Sequence, residues 1–97
     1  MHSIVFEDLA LNDVEEAKNY YNTINPKLAN KFQHNLSLVV NLLVSNPNLY
    51  QKRMDDSRFA KVMDFPYVVV YVIEQETIIV DVVFNTYQNP DKLEKLL

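Results

Sequence analysis

The 97-residue chain carries 13 acidic residues against 9 Lys and Arg, a formal net charge of -4, and has no cysteine and no glycine. Without cysteine there are no disulfides, thiolate metal sites or cysteine nucleophile, and without glycine there is no Gly-rich loop to cradle a phosphate. The acidic balance argues against nonspecific nucleic-acid binding, which needs clustered cations, while 48% hydrophobic and 23% charged residues fit one soluble globular domain over residues 1–97.

No positively charged start leads into an apolar stretch, and no apolar run approaches the roughly 20 residues of a membrane span. The expectation is a cytoplasmic protein with no membrane partner. The run His2-Ser3-Ile4-Val5-Phe6-Glu7 has a β-rich centre, with Ile4 and Phe6 on one face and Val5 on the other. A first strand is predicted there. Asn12 with Glu15 resembles an N-cap and its N3 acid, and Val14, Ala17, Tyr21 and Ile24 recur at helical spacing, predicting a first helix from Asn12 to about Tyr21 or Asn22.

Asn25-Pro26 breaks that helix and places a proline in the first turn of the next, read as Pro26 to Val44. Leu28, Phe32, Leu36, Val39, Val40 and Leu43 form its apolar face. Leu38, Leu42 and Val44 widen that face beyond what one sheet requires. Either the helix is sandwiched between the sheet and the first helix, or the extra width is a partner surface. The sequon Asn35-Leu36-Ser37 falls mid-helix and is discounted.

Asn46-Pro47 ends the second helix, and Tyr50 to Asp56 reads as a polar connection. Arg58 to Asp64 is predicted as a strand with Phe59 and Val62 inward. Phe65-Pro66 leads into Tyr67 to Ile73, so β-branched that a central strand is expected, and Thr77 to Phe84 returns as its antiparallel neighbour; both look buried on two faces. Asn89-Pro90 opens a short C-terminal helix with Leu93, Leu96 and Leu97 on one side. The order gives an α+β fold, β-α-α-β-β-β, an antiparallel sheet with two helices on one face and a short C-terminal helix.

Little of this supports catalysis. Glu15-Glu16 and Asp55-Asp56 read as solvated charge. Asp81, alone in an apolar strand, calls for a partner such as Arg58 or Lys61 on a neighbouring strand. His2 and His34 lack ligand spacing, so no metal site is assigned, and no serine has an elbow motif or a matched base. Lys52, Arg53, Arg58, Lys61, Tyr67, Tyr71 and Tyr87 could converge on one concave face compatible with RNA, although strand tyrosines more often serve as half-buried packing residues.

Tyr20-Tyr21, Asn25-Pro26-Lys27-Leu28-Ala29-Asn30-Lys31-Phe32, Asn46-Pro47, Arg58 with Phe65-Pro66-Tyr67 and Tyr71, and Asn85 to Pro90 together resemble the RelE/ParE toxin family. The resemblance covers nearly the whole chain and rests on order and spacing, since no single motif is specific. It implies the toxin half of a type II toxin-antitoxin system, the plasmid-stabilisation type, masked by a cognate antitoxin and needing no cofactor. RelE-like members cleave messenger RNA on the ribosome; ParE-like members act on DNA gyrase without nuclease chemistry. Arg58 matches an arginine opening the family's second strand, and Tyr71 a tyrosine of its third.

The exit of the last strand departs from the pattern. Where relatives with Phe-Pro-Tyr usually carry a histidine and an arginine, this chain has Asn85 and Gln88, within Asn85-Thr86-Tyr87-Gln88-Asn89-Pro90. Neither amide can move a proton near neutral pH or neutralise a developing phosphorane. The leading expectation is therefore a ParE-like toxin that binds DNA gyrase through Arg58, Lys61, Tyr67, Tyr71, Asn85 and Gln88, and an antitoxin over Leu38 and Leu42. The alternatives are a ribosome-dependent ribonuclease with Arg58 and Tyr87 as catalytic residues, or a decayed toxin that keeps only antitoxin binding. A homodimer and a hetero-oligomer with antitoxin both remain open.

Overall fold

A computed structural model of the chain describes residues 2–87. β1 (Ser3–Phe6) turns Ile4 and Phe6 towards the core and leaves Val5 51% exposed, as strand alternation requires. α1 (Asp8–Ile24) begins about a turn earlier than the sequence pattern predicts. Its cap, Glu7, makes no side-chain bond. The entry is fixed by the backbone: the Glu7 N–H donates to the Val80 carbonyl at 3.0 Å, and the Glu7 carbonyl accepts from the Leu11 N–H at 3.0 Å. The sheet therefore sets where the helix starts, and Asn12 lies inside it, its side-chain amide donating to Glu16 at 3.2 Å.

α2 (Pro26–Ser45) follows after Asn25 alone. Asn25 serves both helices, its N–H donating to the Tyr21 carbonyl at 2.9 Å and its Oδ1 accepting from the Lys27 N–H at 3.0 Å. That double use, with Pro26 in the first turn, forces a sharp reversal without a loop. β2 (Lys52–Met54), β3 (Ser57–Lys61), β4 (Tyr67–Glu74) and β5 (Thr77–Asn85) complete the described residues. With no glycine to take positive φ, the turns place Asp55 at φ 50, Asp64 at φ 68 and Gln75 at φ 56. Asp tolerates this left-handed region through local hydrogen bonding; Gln does so less readily.

The strands form one sheet in the order β1-β5-β4-β3-β2. Three pairings are antiparallel, but β1 runs parallel to β5, Ser3 beside Thr77 and Phe6 beside Val80. The sheet is thus mixed rather than antiparallel throughout: the α1–α2 hairpin begins directly after β1, and β1 completes the sheet beside the last strand. Ala10 and Ala17 of α1 and Phe32, Leu36, Val39 and Leu43 of α2 pack on Ala60, Val62, Tyr67, Val69, Tyr71, Ile78, Val80 and Val83. Both helices cover this one face, because the opposite cluster of Val70, Val82 and Phe84, flanked by Met54, Phe59 and Val68, contains no helix residue. Phe32 is fully buried at the centre of the helix layer, where truncation to Ala costs about 3 to 5 kcal/mol.

Between the pairs Val70–Val82 and Tyr71–Val80 the register slips by one residue, and Asp81 is the residue left over. This bulge lets Val80 and Val83 both face the helices while Val82 and Phe84 face away. Several expectations change in detail. The polar connection Tyr50 to Asp56 contains the edge strand β2, and the strand expected over Arg58 to Asp64 ends at Lys61, ahead of the turn in which Asp64 has positive φ. Ala60 joins Val62 towards the helices, and Phe59 packs on the other face. β4 and β5 are buried on both faces only in part, as Val72 and Ile79 are half-exposed near the hairpin turn. The short C-terminal helix lies outside the described residues.

Candidate functional site

Arg58 and Tyr71 are register partners across β3 and β4. The Arg58 guanidinium donates through Nη1 to the Tyr50 carbonyl. Tyr71 is fully buried, and its hydroxyl donates to the Pro47 carbonyl at 2.8 Å. Burial pushes the Tyr71 phenol up to about 12, partly offset by the Arg58 cation. Tyr71 is therefore a neutral internal donor with no surface to offer a partner, and the half-buried Arg58 is anchored through Nη1 to the chain's own backbone.

Lys61 lies opposite Val68, on the face away from the helices, and its ammonium group donates to the Phe65 carbonyl at 2.7 Å. Lys52 pairs with Asp56 at 3.4 Å, and Arg53 is exposed on the same short edge strand. The basic and aromatic residues expected on one concave face are thus divided between two faces and an edge. Tyr67 faces the helices from the far end of β4, about 13 Å from Tyr71 at a strand's rise per residue. It stands opposite Asn85, and burial raises its pKa against a lowering influence of the Asn85 side chain. Asn85 Oδ1 accepts from the Tyr87 N–H at 2.9 Å, and Tyr87 is 87% exposed. Gln88 lies outside the described residues.

Asp81 does not meet the partner expected for it. No ion pair to Asp81 occurs among the described residues, because the bulge carries it on β5 while Arg58 points towards the helices and Lys61 is held by Phe65. Burial raises its pKa, and the like charges of Glu7 and Glu74 raise it further. Among the described residues there is also no group of three or more His, Cys, Asp or Glu able to hold a metal ion.

On α2, Leu38 is 52% and Leu42 43% exposed, so these leucines are not sandwiched between sheet and first helix. A separate apolar groove between the helices is lined by Phe6, Leu11, Val14, Leu36 and Val40. Asn35 is buried, its side-chain amide donating to the Met63 carbonyl at 2.9 Å. That bond also takes the sequon's nitrogen.

A larger concavity lies elsewhere. A cleft of about 650 Å³ opens between the C-terminal half of α1, the turn from β3 to β4 and the end of β5. Asp13, Glu16, Tyr20 and Tyr21 form one wall, Phe65 and Tyr67 another, and Asn85 and Tyr87 the third. Tyr21 meets Tyr20 edge-on at 5.2 Å, Phe65 at 4.9 Å and Tyr67 at 6.3 Å between ring centroids. Asp13 Oδ2 accepts from the Val83 N–H at 2.9 Å. Burial raises the Asp13 pKa against the lowering effect of that bond, and the charge of Glu16 adds to the rise. Sequence reasoning missed this wall. Its signal is present: Asp13, Glu16, Ala17, Tyr20 and Ile24 recur at helical spacing as a polar and aromatic face beside the core face.

The family model described as "ParE toxin of type II toxin-antitoxin system, parDE" matches residues 4–89. Among solved structures, a chain of the "Chromosomal ParDE TA system from P. aeruginosa" is similar, with a TM-score of 0.75 at 18% identity over 88% of this chain and 96% of that one. At that identity the likeness speaks for the fold, including two helices on one face of a mixed sheet. No curated protein matches the sequence. Since the family match spans nearly every element from β1 to the end of β5, the chain belongs to the ParE toxin family of type II toxin-antitoxin systems.

Proposed function

We propose that this chain is a toxin that inhibits DNA gyrase by binding it in the cytoplasm, and that a cognate antitoxin neutralises it through an apolar segment laid over Leu38 and Leu42. The observation that carries the binding reading is the internal engagement of Arg58 and Tyr71, whose donors end on the Tyr50 and Pro47 carbonyls. A ribonuclease needs a cation free to meet a developing phosphorane and a group able to trade a proton nearby. Here Arg58 is tethered through Nη1 and its neighbour Tyr71 is buried, so of the residues named for a nuclease only Tyr87 is exposed and, among the described residues, unengaged through its side chain, and Asn85 rather than a histidine stands at the strand exit. Exposed leucines on an otherwise polar flank of α2 support the antitoxin half of the proposal, since such side chains are the anchors of helix-in-groove and strand-addition complexes.

The test is a pair of assays on the purified chain. Supercoiling by gyrase is expected to fall as toxin is added and to recover when antitoxin is added. Translation-coupled mRNA cleavage on ribosomes is expected to be absent. Ribosome-dependent cuts that disappear in Arg58→Ala would replace this reading with the nuclease one. Failure of both assays with antitoxin binding retained would identify a decayed toxin.

A further inference from the structure

The cleft between α1 and the end of β5 has a composition unlike the rest of the surface. Its floor and one wall are aromatic: Tyr21, Phe65 and Tyr67 pack edge-on, and the Tyr67 ring is buried. Two carboxylates, Asp13 and Glu16, stand side by side one helical turn apart on the same wall. Neither has a cationic partner among the described residues: Lys18 pairs with Glu15, and Lys31 with Asp64 at the cleft's edge. Glu16 receives only the Asn12 amide, and Asp13 only the Val83 N–H. At the mouth, Tyr20, Ile24 and Tyr87 are 59%, 57% and 87% exposed, an apolar and hydroxyl-bearing rim beside the half-buried Asp13 and the exposed Glu16.

We propose that this cleft is a docking site for an arginine side chain of a partner polypeptide. Aromatic faces attract a cation, and a planar guanidinium stacks on a tyrosine ring while its fork of donors reaches carboxylates, which an ammonium group cannot do at once. Asp13 and Glu16 supply the acceptors and Tyr20 and Tyr21 the faces. The exposed rim points to a polypeptide rather than a free small molecule, because exposed tyrosine is enriched at protein interfaces, and arginine is enriched there with it. The chain's net charge of -4 favours approach of such a basic segment. The inference is independent of which cellular target the toxin reaches.

The experiment uses the whole ¹⁵N-labelled chain, titrated with N-acetyl-argininamide and, separately, with the lysine and citrulline analogues. Saturable shifts at the amides of Val83, Asn85 and Tyr87 are expected with the arginine compound. Citrulline has the same shape without the charge and is expected to bind about tenfold more weakly or worse, the scale of two partly exposed charge contacts. The double variant Asp13→Asn, Glu16→Gln, which keeps an oxygen for the Val83 N–H, is expected to lose affinity by a similar factor while its spectrum stays dispersed. Should it unfold, Glu16→Gln alone and Tyr20→Leu, both at exposed positions, must each weaken binding severalfold. Equal shifts with citrulline, no shifts with arginine, or shifts untouched by these variants would overturn the proposal. Equal affinity for the lysine analogue would overturn the assignment to a guanidinium.

Discussion

Arg58 and Tyr71 face each other across β3 and β4, and each ends on a backbone carbonyl of the segment joining α2 to β2. Two central-sheet side chains thus carry a connection that has no helix or strand of its own between Asn46 and Gln51. Tyr71→Phe removes the hydroxyl and leaves the buried Pro47 carbonyl unpaired, which is expected to cost about 1 to 2 kcal/mol. In a domain of this size each kcal/mol lowers Tm by about 4 to 8 °C, readily seen by thermal denaturation.

The same tyrosine makes stability fall in alkali. The folded state holds the Tyr71 proton more tightly than the unfolded state, whose phenol titrates near its ordinary value of about 10. Stabilisation is therefore complete below about pH 10 and is lost as pH rises through about 12. Tyr21 and Tyr67 are raised by burial in the same direction. Urea midpoints measured from about pH 8 upward should decline for the wild type and decline less steeply for Tyr71→Phe.

Asp81 predicts the opposite kind of substitution. Its folded-state pKa is raised, so its ionisation disfavours the fold, and this penalty is present at neutral pH and relieved as pH falls through the raised value. Asp81→Asn keeps the shape of the bulge residue and removes the charge. It is expected to stabilise the protein at neutral pH, with the advantage shrinking on acidification. An advantage that stayed constant across the acid range would show that charge is not its origin.

Leu38→Glu with Leu42→Glu tests the proposed antitoxin face without disturbing the core. Both positions are largely solvent-exposed, so a change within about 0.5 kcal/mol each is expected in stability. Antitoxin affinity is expected to fall by a factor of ten or more, about 1.4 kcal/mol, in a calorimetric titration. Retained affinity would move the antitoxin to another surface.

Gln75 holds φ 56 in the two-residue turn between β4 and β5. A left-handed backbone costs an ordinary residue about 1 to 2 kcal/mol, part of which glycine gives back in unfolded-state entropy. Gln75→Gly is expected to raise stability by about 0.5 to 1 kcal/mol, measured by denaturant titration. Gln75→Val, β-branched at the same φ, should lower it.

Local signals in the sequence were reliable where the physics is local. Asn25-Pro26 marks the helix reversal because a cap and a proline act within one turn, and the Tyr67–Ile73 run declares a strand by its branching alone. Elements fixed from a distance were not legible. α1 starts at Asp8 because Val80 accepts the Glu7 N–H, a partner more than seventy residues away along the chain. β2 exists only because β3 pairs with it, and Asp81 reads as a strand acid in need of a cationic partner until the register shift is seen. The site suffered most. Arg58, Lys61, Tyr67 and Tyr71 are correctly placed in strands, yet which face each occupies follows from the register and from where β3 begins. The cleft draws its walls from α1, a turn and β5, and no window of sequence contains all three.

The parallel pairing of β1 with β5 has a consequence for the order of assembly. The α1–α2 hairpin and the antiparallel strands from Lys52 to Asn85 are built from near neighbours, whereas Ser3 meets Thr77 and Phe6 meets Val80. Such distant pairings form late because their loop-closure entropy must be met first. On the ribosome, β1 emerges before β5 and finds its partner strand only once β5 has been made. The sheet edge that these two strands share is therefore the last part of the described fold to close.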